Sequence, residues 1–179
     1  MKTRASIVTV RCILAGSALV LGGSALAADA PPTTAEVLTK LHESDQKEIQ
    51  AGKMAEQNGQ TQQVKDYGKM LVKDHTAADK KVTALAKQEK IDLPKAASSD
   101  SDMKSMAEMK GMTKGPDFDN KFAEDMVQDH RKDVAEVTQA RDATTDPKLK
   151  KLLTDLIPTL QKHEDEAQKI VDSSGNKGK

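Results

Sequence analysis

Two stretches of this chain carry the same chemistry in the same register. Lys69 to Val82 (KMLVKDHTAADKKV) and Glu124 to Val137 (EDMVQDHRKDVAEV) are offset by 55 residues, and each places a histidine, His75 or His130, behind an aspartate. In both, apolar residues at spacings of three and four put the histidine on an inward helical stripe. Two further residues able to bind a metal fall on comparable stripes: Glu48 in an earlier helical stretch and His163 in a later one. One carboxylate and three imidazoles form a donor set for a divalent transition metal, with iron, zinc, manganese and copper all open. The competing reading is a metal-free polar layer in which Glu48 hydrogen-bonds the histidines. Asp45, Asp74 and Asp129 are the candidate oxygen partners that would orient the imidazoles. The fourth histidine, His42, sits at a stripe edge and reads as surface.

These residues need four helices to hold them. Thr33-Thr34-Ala35-Glu36 is a capping box that starts helix 1, whose inward positions are Leu38, Leu41, Asp45, Glu48, Gly52 and Ala55. Asn58-Gly59 is expected to stop it with a left-handed glycine. Helix 2 runs from near Thr61 to about Lys90, with Val64, Tyr67 or Gly68, Leu71, His75, Ala78, Val82 and Leu85 inward. Helix 3 follows Gly115-Pro116-Asp117, with Asp117 the expected N-cap. Helix 4 follows Asp146-Pro147, an N-cap with proline at the first helical position, and Pro158 is expected to kink it. Short links after helices 1 and 3 predict an all-α, antiparallel four-helix bundle. The 93–116 link is long enough for a helix 2 to helix 3 crossover, as in ferritin-like topologies, with a loose up-down connection as the alternative. Counted from the connecting turns, the four candidate ligands share a level to within about 6 Å, one helical turn.

The ends read differently. Residues 1–27 have a basic start, an apolar run from Ile13 to Leu21 and Ala25-Leu26-Ala27, the pattern of a secretory signal peptide cleaved after Ala27. A periplasmic or secreted protein is expected, with no membrane span in the mature chain. The bundle domain is assigned to 28–172 and a disordered tail to 173–179. The leader holds three basic and no acidic residues, so 28 of each sign overall becomes 25 against 28, a mild acidity that argues against nucleic acid as partner. The one cysteine, Cys12, lies in the leader, which leaves the mature chain without disulfide, thiolate ligand or cysteine nucleophile. With three aromatic residues, the core must be built from Leu, Val, Ile, Ala and Met.

The crossover carries a second signal. Met103, Met106, Met109 and Met112, spaced by three, could form a soft-donor arm for Cu(I), or dock as an apolar ridge on the bundle.

The segments EIQAGKMA, MLVKDH, FDNKFAEDMVQDH and LIPTLQKHEDEA together resemble an exported bacterial family of ferritin-like bundles whose domain is labelled only as of unknown function. Its members are described as outer-membrane proteins by label alone. The resemblance covers about Leu38 to Ile170 and implies a fold rather than an activity. The Glu-x-x-His motifs of di-iron ferritins are absent, since Thr39, Val72, Val127 and Leu160 stand three residues before the histidines. In a ferritin-like repeat helix 2 matches helix 4, whereas the echo here joins helices 2 and 3. His75 therefore reads as one corner of a cluster with one residue from each helix, Glu48, His75, His130 and His163. No nucleotide loop or hydrolase motif is present. The expected role is metal handling or stress protection rather than turnover, and the alternative is an envelope interaction protein.

Overall fold

The computed structural model describes residues 31–94, 108, 111–112 and 114–175. Four helices account for most of them: α1 (Thr34–Asn58), α2 (Gln62–Gln88), α3 (Pro116–Ala143) and α4 (Pro147–Gly175). The predicted stripes are the buried ones. Every inward position named for helix 2 is buried, and on helix 1 the one exception, Leu41, is half-buried against the core. A fully buried leucine or valine stabilises a fold by about 1.5–3 kcal/mol, so these stripes supply the drive for bundle formation.

Direction follows from which ends meet. The end of α1, the starts of α2 and α3 and the end of α4 share one apolar cluster containing Ala55, Val64, Phe118, Phe122 and Ile170. The opposite ends share a second, containing Leu38, Val82, Val137, Leu149 and Leu153. The helices thus run up, down, down, up. Helix α2 ends, and α3 begins, at opposite ends of the bundle, and every closely packed pair is antiparallel. Helix α1 packs along α2 and α3 along α4; α2 also lies against α4, and α1 touches α3 more lightly.

The tightest seam is between α1 and α2. A Cβ built on Gly52 would stand 2.7 Å from the Gly68 carbonyl oxygen, and one on Gly68 would stand 2.6 Å from that of Gly52. The two glycines let the helix backbones touch, which larger residues would prevent.

Polar pairs fix the ends. Asp119, buried at the start of α3, accepts from the backbone N–H groups of Gln60 (2.8 Å) and Thr61 (2.9 Å) and from the Thr61 hydroxyl (2.8 Å), clamping the α1–α2 turn. At the other end Lys148 donates to Glu89 at 2.7 Å. The capping box at Thr33 and Glu36 is formed, and Asp146 accepts from the N–H groups of Lys148 and Leu149 as expected of an N-cap.

Two local expectations fail. Gly59 has φ −57, so it is not left-handed; a side chain there would strike the Ala55 carbonyl oxygen at 2.6 Å, and space is what requires glycine. The N-cap of α3 is Gly115 rather than Asp117, and it contributes no side-chain bond; Pro116, which lacks an N–H, opens the helix instead. Helix α2 ends at Gln88, where Lys90 turns left-handed (φ 56) and the Ile91 N–H bonds back to the Ala86 carbonyl. Helix α4 runs through Pro158 and continues to Gly175, where Ser173 and Ser174 bond the Ile170 carbonyl; it thus enters the segment expected as tail.

Candidate metal centre

Between the two apolar clusters lies a polar layer. Along α1, Asp45 and Glu48 separate Leu38 from Ala51; along α2, His75 separates Leu71 from Ala78. His130 separates Val127 from Val137 on α3, and His163 separates Leu160 from Ala167 on α4. The interruption of each apolar stripe at the same level brings the polar groups together. His75, His130 and His163 are 2%, 0% and 0% exposed, and each offers a ring nitrogen within 4.8 Å of the other two.

The other nitrogen of each ring is held by an oxygen. His75 Nδ1 bonds Asp45 Oδ1 at 2.8 Å, His130 Nδ1 bonds the Met126 carbonyl at 2.9 Å, and His163 Nε2 bonds Asp74 Oδ2 at 3.2 Å. Carboxylates and carbonyls accept, so these nitrogens donate, and in a neutral imidazole the remaining nitrogen then carries a lone pair. Three lone pairs, on His75 Nε2, His130 Nε2 and His163 Nδ1, are left for the centre. His75 Nε2 and His130 Nε2 lie 3.4 Å apart, and His163 Nδ1 has no hydrogen-bond partner. Tetrahedral ligands at about 2.0–2.1 Å from zinc are separated by about 3.3–3.4 Å, so this spacing suits a shared ion.

Charge points the same way. Burial, assisted by the positive charge available to His75, pushes His130 down to about 4; burial and the same neighbours push His163 down to about 3. Both are therefore unprotonated at neutral pH, as ligands must be. Burial also opposes protonation of His75, but the bond to Asp45 and the charges of Glu48, Asp45 and Asp133 outweigh it and raise its pKa. Burial lifts Asp45 to about 6 against the pull of His75, and burial followed by Glu48 raises Asp133. Buried carboxylates around neutral imidazoles attract a cation, either a proton on His75 or a metal.

Of the predicted ligands, the three histidines meet. Glu48, 1% exposed, lies in the same layer within electrostatic reach of His75 but outside the group whose ligand atoms converge. Of the predicted orienting carboxylates, Asp45 serves His75, and Asp74 serves His163 across the α2–α4 interface rather than its neighbour His75. Asp129 instead accepts from Lys47 at 2.9 Å, and Asp79 takes half-buried His42 and Gln46. Two participants were not read from the sequence. The Met126 carbonyl orients His130, a role hinted at only by its position four residues earlier on the same stripe. Tyr67 donates to the His163 carbonyl at 3.1 Å and meets that ring edge-on.

Met103, Met106 and Met109 lie outside the described residues. Met112 is half-buried and packs against the apolar cluster of Phe118 and Phe122, as a docked ridge would. Among the described residues no helix is long and apolar enough to cross a membrane.

Residues 22–170 match the model of a protein family described as a domain of unknown function, DUF4142. No curated protein matches the chain, and no solved structure does.

Proposed function

The chain belongs to the DUF4142 family, and from its three-histidine centre we propose that it is an exported helical bundle that binds one transition metal ion mid-core, for metal handling or stress protection. The observation that carries the reading is the set of three inward lone pairs, each fixed by an oxygen acceptor on the opposite ring nitrogen. Glu48, Asp45 and Asp133 supply compensating charge. Export rests on the leader pattern of residues 1–27. The methionine run extends the proposal with a soft-metal arm, tested by Cu(I) uptake before and after changing its methionines to leucine.

A second reading is favoured by one feature. The raised pKa of His75 permits it to carry two protons and donate Nε2–H to His130 Nε2, which makes a metal-free polar layer that fixes helix register. Metal analysis of tag-free protein separates the two. One tightly held ion per chain, lost in His130→Ala and His163→Ala, supports the metal centre. Substoichiometric metal with melting indifferent to chelator supports the polar layer.

A further inference from the structure

A cavity of about 290 Å³ lies beside the histidine layer, bounded by all four helices. Exposed Pro32, Glu36, Lys40 and Gln139 form its mouth. From there it follows α1 from Glu36 to Asp45 and α4 from Leu153 to His163, about 13–15 Å at the 1.5 Å rise of a helix. Val37, Leu41, Ala78, Val137, Leu153 and Leu156 give it a wall that is mostly carbon. It is a long, narrow chamber, apolar inside and open to water at one end.

The polar groups along it are already satisfied by the protein. Asp133 accepts from Ser44 at 3.1 Å, Glu136 is paired with Lys40 at 2.9 Å, and Asp45 and Asp74 each hold a histidine. The two atoms there that lack a partner, Asp45 Oδ2 and His163 Nδ1, have no surface open to water and so do not face the chamber. What a guest meets is therefore hydrocarbon. Selection rests on fit and on the apolar area removed from water rather than on charge. An apolar cavity of about 150 Å³ suffices for benzene, so this one has room for about ten to twelve carbons, and its length suits a chain better than a ring system.

We propose that the chamber binds a single neutral aliphatic chain of medium length, that of an alcohol or ester, end-on, with its polar group left in water at the mouth. The site is independent of the metal reading, because it uses no ring nitrogen of the histidine centre.

The test titrates metal-free protein with n-butanol, n-hexanol and n-octanol by calorimetry. One octanol should bind per chain, and affinity should rise about fourfold for each methylene added. Neither n-octanoate nor n-octylammonium should bind as much as about tenfold more tightly than n-octanol, because charges at the mouth are screened by solvent. Leu41→Trp and Ala140→Phe fill the chamber from half-buried positions on α1 and α3. Each takes the room of at least two methylenes and should weaken octanol binding at least about tenfold. Either variant carries the test if the other fails to fold. No binding of octanol, affinity that does not rise with chain length, binding indifferent to the folded variants, or a charged head preferred by about tenfold would each overturn the proposal. Zinc uptake titrated on the same preparation reports separately on the histidine centre.

Discussion

Replacing Gly52 by alanine tests the link between packing and site most sharply, because two effects of opposite sign compete. In a free helix the change stabilises by about 0.5–1 kcal/mol, since glycine loses more conformational freedom on folding. Here the new Cβ would stand 2.7 Å from the Gly68 carbonyl oxygen, 3.0 Å from Val72 Cγ2 and 3.1 Å from Leu71 Cβ. The nearest of these is helix backbone and cannot swing aside. Relief requires α1 to back away from α2 by roughly 0.5–1 Å, and such overpacking costs about 1–3 kcal/mol. The net expectation is a loss of up to about 2.5 kcal/mol, or a melting point lower by up to about 10 °C. Asp45 lies two turns along the same helix, and its 2.8 Å bond to His75 should stretch past the useful limit of about 3.2 Å. Metal affinity should then fall about tenfold, the lower end for loss of an orienting partner. Calorimetric melting and a competition titration read the two effects. A higher melting point with unchanged affinity would refute the close approach and the coupling drawn from it.

Other perturbations separate the parts of the account. Saturating metal, at about 100 times its dissociation constant, should add about 2.7 kcal/mol and raise the melting point by about 5–10 °C in differential scanning fluorimetry, an increment absent from His163→Ala. Asp45→Asn should weaken metal binding by about 10–100-fold in chelator competition, as loss of the charged partner of His75 implies. Affinity should fall on acidification: His130 and His163 are held unprotonated to about 4 and about 3, so His75, whose pKa is raised, is the ligand protonated first as pH falls. Proton release on uptake, measured by calorimetry in buffers of different ionisation enthalpy, should approach one per ion well below that pKa and zero well above it. Asp119→Ala strands two backbone N–H groups at the α1–α2 turn and should cost about 2–4 kcal/mol in urea unfolding, with Asp119→Asn recovering part of the loss.

The fold was legible because each helix announces itself with a 3.6-residue apolar stripe, and because Thr33, Thr61 and Asp146 are N-caps of ordinary chemistry. The interruption of each stripe by a polar residue was equally plain, and with the equal heights it was enough to bring His75, His130 and His163 together. What sequence could not supply was contact between helices. Asp74 and Asp129 occupy the same position relative to their histidines, yet Asp74 reaches His163 on α4 while Asp129 reaches Lys47 on α1, because each faces a different neighbour. Gly52 was legible as an inward position, but the Gly68 carbonyl oxygen that requires glycine there is brought near only by the fold. The Met126 carbonyl is invisible to any reading by side-chain type.

The central claim is that three imidazoles on α2, α3 and α4 share one ion. X-ray absorption at the metal edge of tag-free protein, loaded with one equivalent of zinc and freed of excess, tests it most directly. The account predicts three imidazole nitrogens at about 2.0–2.1 Å with their outer-ring scattering, falling to two in His130→Ala. A shell of oxygen alone, or zinc that washes away with the excess, would contradict it.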